Sequence, residues 1–155
     1  MSLPRLTIEL VPSTAWYTNV RSNVPKEEWD RLRKIVYAEA GHVCEICGGV
    51  GSKWPVECHE VWEYDDVTHT QTLLRLIALC PSCHEVKHIG RANIHGNFRR
   101  AVEHLAEVNE WQVADAEEYV ALQFLTWQER SQHDWKLDIL ALSEYGEVDG
   151  RDEET

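Results

Sequence analysis

Four cysteines fall in two C-x-x-C pairs, Cys44 with Cys47 and Cys80 with Cys83. That spacing lets a tight turn aim two thiolates at one tetrahedral ion, and two pairs supply four sulfurs. A redox dithiol is the other use of such a pair. A four-sulfur site is closed, so a zinc ion held there is structural, and chemistry has to come from other residues. His84 follows Cys83 directly and His88 comes four later, so on a helix both rings point the same way and can share one divalent ion. His59 lies between the pairs, flanked by Glu57, Cys58 and Glu60. A histidine pair at this spacing also occurs as plain surface, and a strand histidine is often a satisfied core residue.

The elements that must position these groups follow from the pattern. Residues 6–11, LTIELV, alternate loosely and predict a strand that Pro12 ends. Residues 13–24 look irregular. Pro25 can open a helix, with Glu27 and Glu28 in its first turn and Trp29, Leu32, Ile35, Val36 and Tyr37 as its stripe up to Gly41. Residues 44–53, CEICGGVGSK, predict a Cys-bearing turn and a glycine-rich loop. Residues 54–62, WPVECHEVW, predict a strand with Val56, Cys58 and Glu60 on one face and Glu57, His59 and Val61 on the other. Residues 72–79, TLLRLIAL, suit a strand or a short helix, which periodicity cannot separate at this length. Pro81 can start a helix that carries Cys83, His84, Lys87 and His88 and stops at Gly90. Residues 97–108 and 113–131 have helical spacing, 135–142 predict a last strand, and the acidic tail from Glu144 predicts disorder.

The chain has 155 residues and seven tryptophans, enough for a core that needs no metal merely for stability. Its five cysteines, with no secretion signal at the N-terminus, favour metal over disulfides. No apolar run approaches a membrane span, so a cytoplasmic protein without membrane contact is expected. The net charge of −12 argues against a protein that coats nucleic acid. The charge is uneven, however. Residues 1–101 carry 12 acidic and 12 basic side chains, whereas 102–155 carry 15 acidic and 3 basic. Lys87, Arg91, Arg99 and Arg100 form a stretch without an acid from 86 to 101, a candidate nucleic-acid-binding patch or simply a solvated face.

CEICGG, VECHEVW and LIALCPSCHEVKH together resemble the HNH endonuclease family over residues 42–92. The resemblance implies an α+β fold with a ββα-metal module, a hairpin inserted between zinc knuckles and followed by a metal-bearing helix. It divides the chain into an N-terminal strand and helix (1–41), the module (42–92), a helical C-terminal part (93–143) and the tail (144–155). It also implies His59 as the general base, with His84 and His88 as ligands of a catalytic divalent ion such as Mg, Mn, Ni or Zn. Two positions depart from the family. Cys58 stands where Asp or His usually ligates, and a thiolate there would favour a soft ion. Alternatively Cys58 is buried and Glu57 or Glu60 completes the site. Arg75 stands where the family has the Asn that braces the base-bearing loop, and an arginine there could brace the loop or clamp a phosphate.

The reading these features support is a metal-dependent nuclease acting on DNA, with weak sequence preference because the basic residues would hold phosphates. A zinc-bearing adaptor without catalysis is the alternative. The acidic C-terminal part could then bind a protein partner, by imitating DNA or otherwise. A zinc hydrolase of small substrates is disfavoured, since four cysteines leave the zinc no open position.

Overall fold

The computed structural model describes residues 3–16 and 19–146. A 3-10 turn at Ser13–Ala15 leads to a short helix α1 (Val20–Asn23) and then α2 (Lys26–Glu39). A hairpin follows, β1 (Glu57–Asp65) and β2 (Thr70–Leu79), and then four helices: α3 (Pro81–Lys87), α4 (Ile89–Ile94), α5 (Phe98–Asn109) and α6 (Val113–Arg130). A short strand, β3 (Lys136–Asp138), and a 3-10 segment at Leu140–Tyr145 complete the described chain. The fold is α+β, with a mixed three-stranded sheet in the order β1-β2-β3.

The hairpin is antiparallel, with His59 opposite Ile77, and it slips register between Val61 and Trp62. Residues 72–79, which suited either element, are strand because both of their faces are covered. Ile77 and Leu79 pack with α3 to α6, while Leu73, Leu76 and Ala78 pack with α2 on the other side. Burial on both faces explains the unbroken apolar run LIAL. His59 and Cys58 accordingly project to opposite sides of the sheet.

Four expectations are corrected. Residues 6–11 form no strand and join no sheet among the described residues. The Arg5 and Leu6 N–H groups donate to Asn109 Oδ1 at 2.7 and 2.9 Å, and Asn109 Nδ2 donates to the Leu6 carbonyl at 2.9 Å. The Ile8 N–H donates to the Tyr119 hydroxyl at 3.1 Å. Side chains of α5 and α6 thus take the place of a sheet neighbour. The helix opened by Pro81 ends at Lys87, because His88 leaves helical geometry (φ −109°, ψ 47°) and α4 starts afresh at Ile89. The last strand shrinks to the three residues paired in parallel with Thr70, Gln71 and Thr72. The tail expected to be disordered from Glu144 is still folded at Glu144 and Tyr145, where the Tyr145 hydroxyl accepts the Leu76 N–H at 2.8 Å, and residues 147–155 lie outside the described residues.

Both cores draw on distant chain. Leu6 and Ile8 join Ile77, Leu105 and Val120 in one, and Val20, Trp29 and Leu32 join Val56, Trp62 and Leu76 in the other. Among the described residues, no helix is long and apolar enough to cross a membrane.

Candidate metal centres

The first centre is built by backbone turns. Gly48, at φ +76°, closes the knuckle after Cys47, and its N–H donates to the Cys44 carbonyl at 3.0 Å. A side chain there would strain the turn. Amide groups then face the sulfurs: Cys47 N–H toward Cys44 Sγ at 3.5 Å, and Gly49 N–H toward Cys47 Sγ at 3.4 Å. The second pair opens α3, where Cys80 is the N-cap and its Sγ accepts from the Cys83 N–H at 3.4 Å. Gly51 lets the loop lie against Pro81, since a Cβ there would stand 2.7 Å from the Pro81 Cδ.

All four Sγ atoms lie within 4.8 Å of one another, and Cys47 and Cys80 are 3.7 Å apart. Four thiolates around one zinc at ordinary bond lengths stand about 3.8 Å apart, so the cluster has the dimensions of a tetrahedral zinc site. Without a cation the sulfurs compete for charge. Contact with the Cys83 thiol holds Cys44 down to about 4, and the same contact pushes Cys83 up. A divalent cation relieves that competition by binding all four as thiolates. His104 Nε2 lies 3.2 Å from Cys83 Sγ and completes the surroundings of the cluster.

The second centre stands on the other end of α3. His59 from β1 meets His84 and His88, with ring centres 5.2, 5.3 and 4.9 Å apart, and one nitrogen from each ring lies within 4.8 Å of the others. His59 is 3 % exposed. Burial lowers the His59 pKa and takes His88 down to about 3, so both rings are neutral at physiological pH and present a lone pair. His84 Nδ1 donates to Glu57 Oε1 at 2.8 Å, and the other Glu57 oxygen accepts from Trp54 Nε1 at 2.8 Å. His59 Nε2 lies 3.5 Å from Glu9, and this nitrogen is buried without a hydrogen bond. Three imidazoles, two with carboxylates behind them, suit zinc, nickel or another imidazole-binding ion.

No protein-family model, curated protein or solved structure matches this chain.

Several expected site residues are placed elsewhere. Lys87 is 3 % exposed and paired with Glu9, and its Nζ donates to Thr7 Oγ1 at 2.7 Å. It faces the N-terminal segment that covers α3 and is closed to a phosphate. Arg99 pairs with Glu103 at 3.0 Å and Arg100 with Glu85 at 2.6 Å, as exposed surface pairs. Arg91 alone of the expected patch lines the cleft in front of the histidines. Arg75 does not join the histidines. It pairs with Glu45 at 2.6 Å, and Glu45 also accepts the Ala78 N–H, so the arginine ties the knuckle to β2. Cys58 stands apart from the three rings, packed against the α2 side of the sheet, where burial pushes its thiol up to about 12.

Glu9 and His104 are the site neighbours that the sequence pattern does not mark. Glu9 had a faint signal, as the one carboxylate in LTIELV; a buried charge persists only when paired. His104 had none, since it sits on an amphipathic helix among ordinary polar positions.

Proposed function

We propose that the protein is a metal-dependent endonuclease of the HNH type, with a ββα-metal module made of β1, β2 and α3. The observation that carries the reading is the meeting of His59, His84 and His88 one helical turn beyond a four-cysteine cluster. The cysteines fix the start of α3, and α3 in turn aims His84 and His88 at the strand that carries His59. In this reading His59 is a third ligand rather than the free base expected from the resemblance, because it is buried between the other two rings. His84 offers Nε2, since its Nδ1 is engaged by Glu57, and His59 offers Nδ1, since its Nε2 faces Glu9. A divalent ion bound there would polarise a phosphodiester and lower the pKa of a bound water. Glu57 and Glu9 would fix the ring orientations and raise the basicity of the ligands.

A zinc-holding adaptor without catalysis is the second reading. It is favoured by the engagement of Arg75 with Glu45 and by the separation of Cys58 from the histidines.

Plasmid nicking by the purified protein across Mg²⁺, Mn²⁺, Ni²⁺ and Zn²⁺, with metal content measured in parallel, tests both. The nuclease reading expects cutting that disappears in His59→Ala and His84→Ala, with each variant keeping the cysteine-bound zinc and losing the second metal. Retention of the second metal by a non-cutting His59→Ala would return His59 to the role of base. No cutting with any ion would leave the adaptor.

A further inference from the structure

In front of the histidines the molecule opens a cleft of about 830 Å³. It is lined by Arg21 of α1 and Arg33 of α2, whose helices pack in one core, by Arg91 and His95 at α4, which packs in the other, and by Glu57 and Cys58 of β1. The cleft runs beside the free edge of β1, which has β2 as its one sheet neighbour. Arg21 is held in place through its neighbour: Glu60 of β1 accepts the Val20 N–H at 3.1 Å, and Asn19 caps the same short helix by accepting from Ser22.

Charge in this cleft runs against the chain as a whole. Each acid that lines it is already engaged. Asp30 is bonded to Lys26 at 2.7 Å and to Arg33 at 2.9 Å, Glu57 to His84, and Glu85 to Arg100, which lies outside the lining. One carboxylate thus serves both Lys26 and Arg33. Among the described residues, Arg21 and Arg91 have no acidic partner. A chain of net charge −12 therefore places two unpaired arginines at one concave surface, the one that meets His84 and His88. Concave walls focus such a field and draw in polyanions.

We infer that this cleft is the channel for a nucleic-acid backbone, with Arg21 and Arg91 gripping phosphates beside the three histidines. The inference rests on the nuclease reading for its substrate class, and it places recognition on α1, α2 and α4 rather than on the arginines of α5. Arginine suits this task, since its planar fork binds phosphate oxygens in pairs.

The test is binding of a fluorescein-labelled 20-nucleotide single strand, and of the same sequence as duplex, across a salt series. Arg21→Gln with Arg91→Gln is expected to weaken binding at low salt by about tenfold or more. The slope of log affinity against log salt should fall by about 1.5, the share of two phosphate contacts. Arg99→Gln with Arg100→Gln should bind as wild type. Asp30→Asn, which frees Lys26 and Arg33, should bind several-fold tighter, a gain that misfolding cannot produce. Wild-type affinity in the Arg21/Arg91 variant, or no binding of either probe by the wild type at low salt, would overturn the inference. Binding with this pattern but no nicking would sink the nuclease reading and leave the channel. Nicking with unchanged KM in the Arg21/Arg91 variant would do the reverse.

Discussion

Glu57 Oε1 receives the His84 Nδ1–H at 2.8 Å, and this bond fixes which nitrogen of the His84 ring is left for a metal. The pair spans β1 and α3, so the sheet sets the orientation of a ring carried by the helix. The His84 contact also holds the Glu57 carboxyl below the usual range, against the opposing effect of burial. Glu57→Gln keeps the shape and weakens the acceptor. It should lower affinity for the second metal by about tenfold to a hundredfold, while the cysteine site keeps its zinc. Competition against a chelator of known affinity would show this, and equal affinities would deny Glu57 its orienting role.

Removal of the cysteine site should act on both centres. Cys80 caps the start of α3, which carries His84 and ends at His88. Cys80→Ser is therefore expected to lose both metals and to melt at lower temperature, whereas His84→Ala should lose the second metal alone. Elemental analysis beside thermal melts would reveal the asymmetry. If Cys80→Ser kept a full second site, the two centres would be independent.

Glu9 and Lys87 form an ion pair under the N-terminal segment, with side chains 17 % and 4 % exposed. Removing one partner leaves the other charge buried and alone. Glu9→Ala should cost about 3–5 kcal/mol in urea unfolding, and Glu9→Leu with Lys87→Met should recover much of that loss. A near-zero cost for the single change would mean that Lys87 reaches water when its partner goes.

Cys58 should behave as an inert thiol. With its pKa pushed up by burial to about 12, about one molecule in ten thousand carries the thiolate at pH 8. In metal-loaded protein, iodoacetamide should leave Cys58 unlabelled at pH 8 and label it promptly after unfolding, with the rate rising as pH climbs toward 12. Rapid labelling of the folded protein at pH 8 would mean that the thiol at the cleft wall ionises readily in spite of its burial.

Much of the architecture could be read from the chain because it is written in local terms. Pro25 and the stripe from Trp29 to Tyr37 mark α2, and CEICGG and CPSC mark two turns that aim sulfurs. The spacing of His84 on α3 and His88 at its C-cap brings both rings to one side. These features depend on neighbours a few residues away. The sequence by itself therefore determined the four-sulfur cluster and two of the three clustered histidines.

Tertiary structure decided the rest. His59 could have been an ordinary core residue, and the 18 positions that separate it from its hairpin partner Ile77 carry no local mark of where β1 meets α3; only the hairpin register does that. The strand expected at 6–11 found its partners in Asn109 and Tyr119, far along the chain, because a backbone accepts any well-placed donor or acceptor. Lys87 looked like a phosphate ligand in sequence and became a buried counter-ion once Glu9 was laid over α3. A charge in sequence has a sign but no neighbours, and it is the neighbours, supplied by folding, that decide whether it faces water, a ligand or another charge.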